Sequence, residues 1–208
     1  MNVFFWNCRG LGNLATQRVL FNFCRSLHPS FICLAEPKVA FESISSNYWR
    51  SLNLSFVASN LLDFPTMWLL VSDDLGAGNI EVFSSSDQHL SVQCLIQDQI
   101  QFITCVYAST LPSICCRLWT ELEYLSSLIS SNWFVLGDFN ACFGSHEKLG
   151  RAPNARSCME FASAMSRSSL SCLDTKGPLF TWTNKRQCAH SVDTHLDRAF
   201  CSDVSFQN

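Results

Sequence analysis

The stretch Trp133-Phe134-Val135-Leu136-Gly137-Asp138-Phe139-Asn140 carries an apolar run straight into an acid and an amide two positions apart. A short β-rich run of this kind reads as a buried strand, and Gly137 would let the backbone turn where it ends. In extended backbone, residues i and i+2 point the same way, which puts Asp138 and Asn140 on one side while Phe139 turns into the core. A carboxylate can orient and deprotonate a water, and an amide beside it can donate to a phosphate oxygen and accept from the nucleophile. Alone, however, Gly-Asp-Phe-Asn is an ordinary Asx-type turn. What the other strands end in decides between the two.

Short β-rich runs recur at Val3–Trp6, Phe31–Leu34, Leu54–Ala58, Met67–Val71, Ile80–Phe83, Ser91–Ile96 and Gln101–Tyr107. Trp6 gives way to Asn7, Leu34-Ala35 to Glu36, and Val106 to Tyr107. Each polar residue alone reads as a turn, surface or core residue, but strand ends from distant parts of a chain are how a rigid scaffold assembles a cleft. Glu36 supplies a hard oxygen of the kind magnesium prefers, and that ion needs only one or two carboxylates besides water and phosphate.

Helical patterning lies between some of the strands. Val19, Leu20, Phe23, Cys24 and Leu27 share one face before His28-Pro29 stops the helix, and Leu118, Leu122, Leu125, Leu128 and Ile129 do so after Pro112. A third helix is expected to start at Ser157, with Glu160 completing a Ser-x-x-Glu capping box, and to run through Phe161 and Met165. Strands from about Leu54 to Tyr107 follow one another without helices while the flanks alternate, a mixture that suggests two packed sheets covered outside by helices.

The 208 residues fit one domain with a large core, and 48% hydrophobic residues exclude a disordered chain. A formal net charge of -3 argues against nucleic-acid binding through bulk field, so any such contact is local. The twelve cysteines mostly sit inside apolar runs, with no C-x-x-C spacing, and read as reduced thiols in a reducing compartment. No apolar stretch is long enough to span a bilayer, no signal peptide is evident, and an intracellular place, nuclear or cytoplasmic, is expected.

Taken in order, Phe5-Trp6-Asn7-Cys8-Arg9-Gly10-Leu11-Gly12, Leu34-Ala35-Glu36-Pro37-Lys38, Val106-Tyr107-Ala108-Ser109, Leu136-Gly137-Asp138-Phe139-Asn140, Phe180-Thr181-Trp182-Thr183-Asn184 and Leu196-Asp197-Arg198 resemble the endonuclease/exonuclease/phosphatase superfamily. Within it they look most like the endonuclease domain of plant non-LTR (LINE-type) retrotransposons. The resemblance implies an α+β fold, a DNase I-like four-layer α/β/β/α sandwich of two mixed sheets, and metal-assisted hydrolysis of phosphate esters. It implies that Asn7 and Glu36 help hold Mg²⁺, with Mn²⁺ as the alternative, and that Asp138 and Asn140 align the attacking water. Tyr107 would support the phosphate and Asp197 orient a catalytic histidine. Thr181, Trp182 and Asn184, with Arg9 and Lys38, would meet the substrate. DNA is the implied partner of a monomeric domain, with a reverse transcriptase in the full-length element. Lys148, Arg151, Arg156, Lys185 and Arg186 also fall near the motifs and could meet a DNA backbone.

The pattern departs from the family in two places. The expected Ser-Asp-His segment does not follow Leu196-Asp197-Arg198; Ser202-Asp203 is followed by Val204, and the sequence stops at Asn208. A truncated and catalytically impaired domain is therefore expected, since a positioned acid or base contributes on the order of 10²- to 10⁴-fold in rate. His195, two residues before Asp197, reads as a surface histidine rather than a replacement base. Phe64-Pro65-Thr66-Met67-Trp68 lacks the family's glycines before its Trp-Leu-Leu-type strand. Two other readings stay open: a noncatalytic remnant or interaction module with the same fold, and a small-molecule phosphoesterase.

Overall fold

The computed structural model describes residues 1–186 and 190–202, so Asp203, Val204 and the chain end lie outside the described residues. The chain divides into two compact units, Met1–Gln101 and Phe102–Asn208.

In the first unit, β1 (Val3–Asn7), β2 (Phe31–Ala35), β3 (Leu54–Ser59) and β4 (Met67–Ser72) form a mixed sheet in the order β1-β2-β4-β3. β1 and β2 run parallel, which requires a crossover, and α1 (Leu14–Leu27) supplies it. All five residues of β2 are buried, which explains why its sequence is apolar without alternation. Asn13 caps α1 by accepting from the Thr16 N–H, and His28 closes it in the left-handed conformation just before Pro29. The buried stripe of α1 is narrower than its periodicity implies. Leu20 and Cys24 are buried, whereas Val19, Phe23 and Leu27 stay 37–47% exposed, Phe23 packing its ring against Phe4 and Trp6.

The short helix α2 (Ser46–Ser51) precedes β3 and places Trp49 in the core with Leu52, Leu54 and Trp68. The β3–β4 hairpin forms without glycines because Asn60 ties its neck. The Asn60 side-chain oxygen accepts from the Thr66 and Met67 N–H groups, and its amide donates to Thr66 Oγ1 and Ser86 O. β5 (Ile80–Ser85) and β6 (His89–Ile96) complete this unit as an antiparallel hairpin.

The second unit contains β7 (Gln99–Tyr107, whose first residues belong to the preceding unit), α3 (Pro112–Leu128), β8 (Asn132–Asp138), β9 (Lys148–Leu149), α4 (Ala155–Arg167), β10 (Leu170–Cys172), β11 (Trp182–Thr183), β12 (Asp193–Thr194) and β13 (Asp197–Ser202). Its strands line up as β10-β13-β8-β7, and a small third sheet, β11-β12-β9, appears that the two-sheet expectation did not contain. Pro112 opens α3, where its missing N–H costs nothing, and Cys115, Leu118, Trp119, Leu122 and Leu125 face the core. Leu128 remains half exposed.

The expected capping box on α4 is corrected. The helix starts at Ala155, and Asn154 is the cap, accepting from the Ser157 N–H at 3.2 Å. Glu160 is engaged instead by Arg156 one turn back. Among the described residues all eleven cysteines are free thiols, nine of them buried, and no helix is long and apolar enough to cross a membrane.

Candidate functional site

The first cluster of polar side chains sits where β1 and β2 end. The parallel register pairs Asn7 with Ala35, so Asn7 and Glu36 leave adjacent strands at the same level. Asn7 Nδ2 donates to Glu36 Oε1 at 3.2 Å, and Lys38 Nζ reaches Glu36 Oε2 at 2.7 Å. The backbone is cross-tied by Gly10 N–H to Glu36 O and Leu11 N–H to Pro37 O, both 2.8 Å, and by Glu36 N–H to Thr66 O at 2.9 Å. Arg9, Glu36 and Lys38 all adopt left-handed backbone, with φ of 52°, 52° and 56°. For residues with a Cβ that conformation is costly and concentrates at functional sites. Cys8, beneath the loop, donates its thiol to Ala35 O, and burial pushes its pKa up.

Glu36 offers the single carboxylate that magnesium needs besides water and phosphate, and Asn7 the neighbouring amide, turned here with its nitrogen toward Glu36. Among the described residues no group of three or more His, Cys, Asp and Glu gathers as a metal cage. The Lys38 ammonium stands where a cation would compete for Glu36. Lys38 is 59% exposed, so its ion pair contributes only about 0–1 kcal/mol.

The second cluster is built on β8 and β13. Their antiparallel register sets Asp138 directly opposite Asp197 and Gly137 opposite Arg198. Side chains directly opposite share a face, and like charges in that position cost stability. Gly137 does not turn the chain as expected; β8 continues through it to Asp138. The glycine is required because a Cβ there would meet Val106 O at 1.9 Å, and because φ is 152°.

The turn comes three residues later, at Asn140, whose φ is 46°. Extended alternation therefore does not align Asp138 with Asn140. Asp138 Oδ1 accepts from the Asn140 N–H at 3.1 Å, and Asn140 Nδ2 donates to Ala108 O at 2.7 Å. Phe139 between them is fully buried, with ring centroids 5.1 Å from Phe200 and 5.6 Å from Phe161. Asp138 itself is only 6% exposed. The Ala108 N–H to Asp138 O bond, 2.8 Å, ties this turn to the segment just after Tyr107.

The Thr181 to Asn184 segment borders the same unit but spends its polar groups on backbone. Thr181 Oγ1 accepts from the Leu196 and Asp197 N–H groups, both 3.1 Å, and so fixes the entry to β13. The Asn184 oxygen accepts from Arg186 and Val192, and its amide donates to His190 O. Trp182 pairs with Thr194 and lines, with Asn140, Asn184, Lys148 and Leu196, a concavity of about 430 Å³.

His195 is not on the surface: it is 6% exposed. Burial foremost, then the Arg198 cation, lowers its pKa from the ordinary 6.5, so the ring is neutral at neutral pH. Sequence reasoning also missed the ion pair beside it. Arg198 Nη2 bonds Glu147 Oε2 at 2.5 Å and His195 O at 3.1 Å, and its guanidinium lies 4.7 Å from the Phe143 ring centroid. Arg198 was visible only as part of Leu196-Asp197-Arg198; nothing local in the sequence marks Glu147, 51 positions away, as its partner.

The fold is that of several solved structures. The endonuclease domain of TRAS1, a telomere-specific non-LTR retrotransposon, aligns with a TM-score of 0.70 at 13% identity, covering 99% of this chain and 86% of that one. The AP endonuclease LMAP from Leishmania major gives 0.72 at 15% identity, with 97% and 79% covered. D. rerio TDP2, solved with a single-strand DNA product, gives 0.65 at 12%, with 95% and 82% covered. These likenesses establish the DNase I-like α+β fold. Comparison of the sequence with curated proteins gives no match. The sequence profile of the endonuclease/exonuclease/phosphatase family matches residues 4–207, nearly the whole chain, and the chain belongs to that family.

Proposed function

We propose that the chain is a magnesium-dependent phosphodiester hydrolase acting on DNA and of retrotransposon origin. The observation that carries this reading is the Asp138–Asn140 turn, an acid and an amide locked by backbone bonds opposite a second acid, Asp197. Asp138 accepts a hydrogen bond from the attacking water and draws its proton toward Oδ2 as the water closes on phosphorus. Asn140 donates toward the phosphate region from a side chain whose position Ala108 fixes. Thr181 acts as a positioning residue, holding the Asp197 backbone. Tyr107, at the end of β7, is assigned to the phosphate. Asn7 and Glu36 would hold Mg²⁺, or Mn²⁺ in its place, which when bound offsets charge on non-bridging phosphate oxygens.

A DNA substrate and the retrotransposon origin are supported by the likeness to the TRAS1 endonuclease domain and by the DNA seen with the TDP2 relative. The exposed Arg9 and Lys38, beside the proposed metal ligands, are assigned to the phosphate backbone. Supercoiled-plasmid nicking tests the reading. Nicking that appears with Mg²⁺, stops with EDTA and is lost in Asp138→Ala supports it. Nicking that persists in EDTA and survives the substitution overturns it.

A further inference from the structure

Cys142 lies two residues after Asn140, and Cys158 lies in the first turn of α4. Their sulfurs are 3.8 Å apart and both residues are 7% exposed. Other thiols of this chain donate to backbone carbonyls: Cys8 to Ala35, Cys94 to Gln101, Cys115 to Ser109 and Cys116 to Pro112. Cys142 and Cys158 have each other. Both residues line the concavity that Asn140 and Trp182 border, which opens the pair to small solutes from that side.

We infer that Cys142 and Cys158 form a two-thiol oxidation site that a hydroperoxide converts to a reversible intramolecular disulfide. A disulfide needs sulfurs at about 2.0 Å, so the two, now 3.8 Å apart, must approach by roughly 1.8 Å. The segments that carry them are already packed: the Phe143 ring stacks on Phe161 of α4 at 4.6 Å and 20°. Little extra ordering is needed.

The chemistry balances. One sulfur, as thiolate, attacks the peroxide, taking one oxygen and releasing hydroxide, which collects the thiol's proton as water. The second sulfur then displaces the hydroxyl of the sulfenic acid, and that group leaves with the second thiol's proton as water. Net, two thiols and one hydrogen peroxide give one disulfide and two waters. Burial pushes the Cys142 thiol up to about 11, with Lys148 pulling the other way, so the first step is slow at neutral pH. The bond fixes the segment after Asn140 to α4 and with it one wall of the concavity.

The test is peptide mapping of the full 208-residue chain after mild hydrogen peroxide treatment and alkylation of the remaining thiols. Trypsin leaves Cys142 as the only cysteine of peptide 118–148 and Cys158 as the only one of peptide 157–167, so a cross-link between these two identifies the bond. The expected result is that this linked pair accumulates ahead of any other disulfide, disappears with dithiothreitol, persists in Cys116→Ser and is lost in Cys158→Ser. The inference is overturned if peroxide leaves both cysteines alkylated, over-oxidises them separately, or links either to a different cysteine first.

Discussion

The two clusters of polar residues are held in opposite ways. Asn7, Glu36 and Lys38 stand on left-handed loop backbone and are joined by a hydrogen bond and an exposed ion pair that solvent and salt can replace. Asp138, Asn140 and Asp197 are held by strand register, by a glycine that nothing can replace, and by Phe139 in the middle of an aromatic core. The difference fits the proposed labour of each. A group that trades its ammonium partner for a metal ion must be exchangeable, whereas groups that align a water work only if they do not reorganise.

That contrast breaks most visibly at Gly137. Gly137→Ala forces a Cβ to within 1.9 Å of Val106 O at a φ of 152°, and should cost more than about 4 kcal/mol, read as loss of a cooperative urea transition. Arg198→Met comes next. It leaves Glu147 buried and uncompensated, and should destabilise by about 3–5 kcal/mol in the same assay. If it costs less than 1 kcal/mol, β13 is not anchored as described.

A smaller effect is expected from pH. The folded pKa of His195 lies below the ordinary 6.5, so the unfolded chain binds its proton first. The His195 contribution is complete above pH 6.5 and is lost as pH falls through the folded value. His195→Gln should flatten the fall in Tm between pH 7 and pH 5; an unchanged slope would mean the ring protonates freely in place. The smallest effect belongs to the exchangeable cluster. Lys38→Ala should change stability by less than about 1 kcal/mol, because its partner is reachable by water. A larger loss by chemical denaturation would show that this loop is as rigidly built as the Asp138 turn.

The strands were legible where they were long and apolar, as in β2 and β4, because burial on both faces leaves nothing polar to confuse the pattern. The two- and three-residue strands β9 to β12 carry no periodicity to read, and only distant partners define them. On α4 two good caps lie three residues apart. Asn154 prevails over Ser157 while Arg156 takes the glutamate a capping box would need. Asp138 and Asn140 are joined by a left-handed Asn140 and an Asx hydrogen bond, where extended alternation was expected. Glu147–Arg198 had no local signature, since a buried pair 51 residues apart is a property of the folded register alone.

Asp138→Asn tests the central claim most directly, because the amide keeps an oxygen to accept the Asn140 N–H and removes only the charge. The measurement is the single-turnover rate of magnesium-dependent plasmid nicking beside the Tm of the same sample. The account predicts a rate lower by about 100-fold or more, with Tm unchanged or raised by relief of the Asp138–Asp197 opposition. A rate within twofold of the parent chain would contradict it.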